Sequence, residues 1–168
     1  MGLIEELVQQ KDALAQAWFE RVIDTYPVET ARFLRSQKDP FANPVGQTTH
    51  RNLAALIALL GAHLDTEAAR NALDPIIRIR AIQDFTASRA TGFVFDLKQI
   101  IRKKFSVGSG SSDEMTRIEN RIDQLALIAF DLFMQCREKI YDLKANETKQ
   151  STYKAFAKAG LIKELTDD

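Results

Sequence analysis

Four polar side chains, Arg78, Arg80, Gln83 and Asp84, interrupt a stretch otherwise built on Ile76, Ile77, Ile79, Ile82 and Phe85, and a fifth, Arg89, follows just beyond it. A helix that only packed would not carry so many charges in so apolar a setting. Guanidinium groups placed there serve one of two ends. They make helix-to-helix hydrogen bonds that fix a bend, or Arg80 or Arg89 lines a small polar pocket for an anionic ligand. Arg80 and Asp84 are spaced i, i+4, which suits an ion pair along one helix face. Arg78 and Arg80 point about 200° apart on a helix, so they address different surroundings. These five are the candidate ligand-binding residues of the chain.

The remaining reactive residue types assemble into nothing catalytic. His50 and His63 fall on one predicted helix but lie about 140° apart around it, too divergent to clamp one small metal ion. Neither sits in a zinc-protease pattern or a Cys/His cluster, although a single histidine is enough to ligate haem iron. Cys136, the one cysteine, lies on an apolar stripe without a histidine or helix start to activate it. No carboxylate pair, nucleophile elbow, phosphate loop or dinucleotide fingerprint is present. The expectation is no catalytic residue, no metal and no cofactor.

Helices must position the five. Apolar spacing is helical nearly throughout, and no alternating run is long enough for a sheet. Ile4, Leu7, Val8, Leu14, Trp18, Val22 and Tyr26 mark a first helix ending at Pro27, and a short one follows from Glu29 to Arg35. Ser36 to Thr48 carries two prolines and a glycine and reads as a loop, with Thr48 or Thr49 capping the next helix. Asp65 or Thr66 begins a short helix to Leu73. Asp74-Pro75 reads as a fresh start, since proline suits the first helical position. Asp84 and Phe85 close that helix, and Thr86 caps one that continues through Phe93, Val94, Leu97, Ile101 and Phe105. Lys98 and Arg102 add cations to it.

Residues 107–113 form a flexible-looking connector, and Ser111 with Glu114 makes a capping box for the longest helix, Ser111 to Lys144. Its stripe of Ile118, Ile122, Leu125, Ala129, Leu132, Cys136, Ile140 and Leu143 is nearly heptad, which suits a bundle or a pairing of two protomers. Thr148 to Lys163 is basic and amphipathic, fit for a partner groove, a membrane surface or folding back on the bundle. The organisation expected is a domain over 1–145 and a basic amphipathic tail over 146–168.

Composition excludes several classes. Lys plus Arg equals Asp plus Glu at 23 each, so no overall field attracts nucleic acid. Apolar residues at 45% suit a folded core. No run reaches membrane-spanning length, and the N-terminus lacks a basic start followed by an apolar segment. A cytoplasmic protein with little membrane contact is expected.

The stretch Asp74–Arg102 also resembles the signature of the RsbRD-type N-terminal domain, the sensory module of RsbT co-antagonist proteins of the bacterial stressosome. Asp74, Pro75, Arg80, Ala81, Gln83, Asp84, Phe85, Thr86, Lys98 and Arg102 carry the resemblance. Trp18 with Thr25-Tyr26-Pro27 agrees, as does the loop Asp39-Pro40-Phe41-Ala42-Asn43-Pro44-Val45-Gly46, so the likeness spans roughly 8–143. It implies an all-α sensory domain, commonly dimeric, attached to an output domain that is either a phosphorylated STAS domain or a histidine kinase. The residues after Leu143 are too few for either output. The expectation is therefore a single-domain helical bundle, a non-enzymatic stress-signalling module that homodimerises and reports to a separate partner protein. The competing expectation is a globin-like protein holding haem or a small anion.

Overall fold

The computed structural model describes residues 2–61, 63–105 and 112–162, and among them the chain is all-α, with eight helices and no strand. The helices are α1 (Leu3–Gln9), α2 (Lys11–Ile23), α3 (Val28–Ser36), α4 (Pro44–Leu59), α5 (Thr66–Ile82), α6 (Ala87–Thr91), α7 (Phe93–Lys104) and α8 (Ser112–Lys158). The chain divides into two compact units, Met1–Met134 and Gln135–Asp168.

In the first unit α4 packs against both α2 and α5, and α2 also packs against α7. Trp18, Leu53, Leu56, Ile57, Leu73 and Ile76 are fully buried there. Each such side chain stabilises the fold by about 1.5–3 kcal/mol relative to exposure. The predicted stripe of α8 is buried from Ile118 through Leu132. Ion pairs Lys98–Asp123 (2.6 Å) and Arg102–Glu119 (2.5 Å) hold α7 beside this part of α8. The Leu3 amide donates to the Glu114 carboxylate at 3.3 Å, tying the start of α1 to the same helix. Ser111 and most of the connector 107–113 lie outside the described residues.

Several boundaries differ from those the sequence suggests. The first helix is broken at Gln10 into α1 and α2. Pro75 does not start a helix but lies inside α5, which Asp65 caps by accepting from the Glu67 and Ala68 amides at 3.0 Å. Proline removes one ladder hydrogen bond. Burial of Ala69, Ala72 and Leu73 before it and Ile76 and Ile77 after it keeps the helix continuous. Past Thr86, whose hydroxyl accepts from the Arg89 amide as expected, the helix is split at Gly92 into α6 and α7. α8 runs on to Lys158, taking in most of the segment that the sequence sets apart after Thr148.

The loop expected over Ser36–Thr48 is shorter than that, because Asn43 rather than a threonine caps α4 and Pro44 takes the first helical position. Asn43 is buried and fully used. Its Nδ2 donates to the carbonyls of Leu34 (3.1 Å) and Gln37 (3.0 Å), and its Oδ1 accepts from the Gly46 amide (2.9 Å). One side chain thus closes α3 and opens α4. Gly46 is glycine because a Cβ there would lie 2.7 Å from Asn43 Oδ1.

The second unit contains the rest of α8, in which Tyr141, Leu143, Tyr153 and Phe156 are exposed. Its end is closed by Gly160, at φ 73°, with the Leu161 amide donating to the Phe156 carbonyl and the Gly160 amide to that of Ala157. That pair of bonds is the Schellman arrangement, and Gly160 supplies the left-handed residue it needs.

Asn43→Ala and Gly46→Ala are each expected to lower the unfolding free energy by about 2 kcal/mol. In denaturant titrations the double variant should lose less than the sum, because alanine at 43 removes the atoms that the new Cβ meets. Strict additivity would contradict this account of the loop.

Candidate functional site

Four of the five polar residues, Arg80, Gln83, Asp84 and Arg89, lie around one corner, where the end of α2 meets the turn between α5 and α6. The local sequence makes the corner. Tyr26-Pro27 ends α2, since Pro27 cannot continue it and starts α3 instead. Gln83 is extended at ψ 167°, which stops α5, and the Phe85 amide returns to the Gln83 carbonyl at 2.9 Å. The turn swings the Phe85 ring edge-on against Tyr26, centroids 5.5 Å apart.

Arg80 is the buried centre, at 0% exposure. Its Nε donates to the Ala90 carbonyl (2.9 Å), one terminal nitrogen to the Arg89 carbonyl (2.8 Å) and the other to Thr25 Oγ1 (3.1 Å). The Thr25 hydroxyl in turn donates to the Val22 carbonyl at 2.6 Å. Three rings surround the guanidinium, Phe85 at 4.4 Å, Phe93 at 5.2 Å and Tyr26 at 5.6 Å from its carbon. No carboxylate pairs with it among the described residues. Burial pushes its pKa below the ordinary arginine value, Tyr26 opposes that shift and Arg89 adds to it. Rings and carbonyl dipoles therefore carry the stabilisation that a counter-ion would otherwise supply. Beside it, Trp18 Nε1 donates to the Phe93 carbonyl at 2.8 Å.

Over this centre opens a cleft of about 540 Å³, within the range of small-molecule sites. Tyr26, Pro27, Gln83, Asp84, Phe85 and Arg89 line it, together with Thr30. Arg89 donates to the Thr25 carbonyl at 3.2 Å and lies over Phe85 at 5.4 Å. Asp84 is exposed and forms no ion pair among the described residues. Gln83 Oε1 is buried with no hydrogen-bond partner there. Asp24, also on the rim, is held by Arg35, which bonds Glu20 as well (2.6 Å); those two carboxylates raise the Arg35 pKa.

Of the five expected residues, Gln83, Asp84 and Arg89 meet at the cleft and Arg80 lies under it. Arg78 is elsewhere, on the exposed face of α5, paired with Asp74 at 2.6 Å. The Arg80–Asp84 pair suggested by spacing does not form, because α5 ends at Ile82 and the helical register does not reach Asp84. Thr25, Tyr26 and Thr30 also belong here, although in the sequence Tyr26 stands out only as the end of the first helix's apolar stripe and, with Thr25 and Pro27, as part of the family resemblance. His50 stands edge-on to Phe19 at 5.5 Å beside a cleft of about 160 Å³, while His63 is exposed. Among the described residues, no group of three or more His, Cys, Asp or Glu side chains is placed to hold a metal ion.

A family model described as the RsbT co-antagonist protein rsbRD N-terminal domain matches residues 12–148, a span that contains the whole corner. No curated protein and no solved structure matches the chain.

Arg80→Lys keeps the charge but cannot reach two carbonyls and a hydroxyl at once. It is expected to cost about 2–4 kcal/mol, judged from hydrogen bonds to charged groups at about 1.5–3 kcal/mol each. Arg78→Lys, on the exposed face, should change stability by less than about 0.5 kcal/mol. Equal effects in thermal or urea unfolding would remove Arg80 from its central place.

Proposed function

The chain belongs to the RsbT co-antagonist rsbRD N-terminal domain family, and on that premise we propose that it is a non-enzymatic sensory module that homodimerises and passes its signal to a separate partner protein. The family is one of stressosome-related signalling domains.

One observation carries the dimer. α8 has two apolar faces in the first unit, one buried in the bundle and one in water. On the second, Leu127, Phe130 and Met134 follow at steps of three and four and are 67%, 45% and 38% exposed. Phe95, on α7, is also exposed. The Lys98–Asp123 bridge, three residues along α7 from it, draws the two helices together. Heptad-like spacing on a free helix face is the pattern that pairs with a second helix. A second copy of the chain is the proposed occupant: with 23 charges of each sign, two copies carry no net repulsion.

The second unit supports the same reading by itself. A helix exposed on all sides gains little from its own residues and takes its stability from packing. Tyr141, Leu143, Tyr153 and Phe156 stand ready to pack against another chain. The separate output partner is proposed to engage this unit, since in the family the output follows the long helix. No described helix is long and apolar enough to cross a membrane, and the proposed setting is the cytoplasm.

Sedimentation of the purified chain is expected to show a dimer at micromolar concentration. Leu127→Glu with Phe130→Glu should weaken it by at least about a hundredfold, since two buried apolar groups become charges at the interface. The helical circular dichroism of the first unit should persist, because neither side chain is in the core. A wild-type chain that stays monomeric at the highest attainable concentration would overturn the proposal.

A further inference from the structure

Deepening the sensory reading, on which it rests, we infer that the cleft between the α2 end and the α5–α6 turn binds a small zwitterion, an α-amino acid with an apolar side chain. The cleft presents two opposite charges that leave each other unanswered. Asp84 and Arg89 both line it and make no ion pair with one another. A ligand that carries both signs answers both, whereas a plain anion meets Asp84 and a plain cation meets Arg89.

The surroundings set the orientation. Arg80 lies behind Phe85 with its guanidinium carbon 4.4 Å from the ring and no carboxylate, so the positive potential is highest on the Arg89 side. The ligand carboxylate belongs there, where Arg89 can offer its planar fork. The ammonium belongs at Asp84 and Gln83. Gln83 Oε1 is the one buried side-chain oxygen or nitrogen among the described residues without a partner. An unsatisfied acceptor of that kind is costly, and an ammonium supplies the missing donor once the amide turns toward the cleft. Tyr26, Pro27 and Phe85 give an apolar wall for the side chain. A volume of about 540 Å³ accommodates a free amino acid and leaves the cleft open to water.

The test uses the full chain with L-phenylalanine and its two halves, phenethylamine and 3-phenylpropionate, each followed by calorimetry and by amide chemical shifts. Saturable binding of L-phenylalanine at one per chain is expected, with both halves at least about tenfold weaker. Arg89→Gln and Asp84→Asn should each weaken L-phenylalanine about tenfold. Tm without ligand is measured alongside, so that loss of binding is separated from loss of fold. No saturable binding at millimolar concentration, a half that binds as tightly as the whole, or two folded variants that bind like the parent would each overturn the inference. Sedimentation of the same samples keeps the two readings apart. A dimer that ignores L-phenylalanine removes the cleft ligand alone, and a monomer that binds it removes the dimer alone.

Discussion

The architecture of the first unit depends on placing one charge where water does not reach. A guanidinium at full burial would be expelled from an apolar core unless its hydrogen-bonding capacity and its charge were both met. Arg80 meets the first with two main-chain carbonyls and a threonine hydroxyl, and the second with the faces of three aromatic rings. Those partners come from the end of α2, the turn after α5, α6 and the first residue of α7. Four pieces of chain are therefore fixed relative to one another by a single side chain. The short α6, only five residues long, would have little reason to hold its place without it.

This explains why the segment stands out in the sequence. Arg80, Phe85, Tyr26 and Thr25 are residues whose types are constrained jointly, because a change in any one leaves the charge without a ring or a carbonyl without a donor. The same logic holds at the other end of α3, where Asn43 and Gly46 fit only each other. In both places a polar side chain is buried in order to set the angle between helices. Ridge-into-groove packing allows several classes of crossing angle, and the buried polar contacts select among them.

Much of this was legible beforehand, and the failures have physical causes. Helical periodicity identifies the helices because amphipathic faces repeat at 3.6 residues, and the caps at Asp65 and Thr86 follow from side-chain chemistry alone. Asp74-Pro75 misleads because proline at a helix start and proline inside a helix look alike locally; the apolar contacts on both sides decide between them. The anomaly of Arg80 is visible in sequence but its partners are not, since Thr25 is 55 positions away. For the same reason Gln83, Asp84 and Arg89 could be named as a group while Thr25, Tyr26 and Thr30, their neighbours across the corner, could not. Arg78 shared their composition but points to the other side of the helix, as its angular offset from Arg80 required.

The chain has one tryptophan, and its position gives the corner an intrinsic optical reporter. Trp18 is fully buried and its indole N–H is bonded to the carbonyl of Phe93, whose ring lies 6.0 Å from the indole and under the Arg80 guanidinium. Under red-edge excitation, which the three tyrosines do not absorb, the emission therefore comes from a single fluorophore one residue removed from the central charge. Any rearrangement that loosens the junction of α2 with α7 changes the polarity around that indole and shifts its spectrum, without a label and without disturbing the residues concerned.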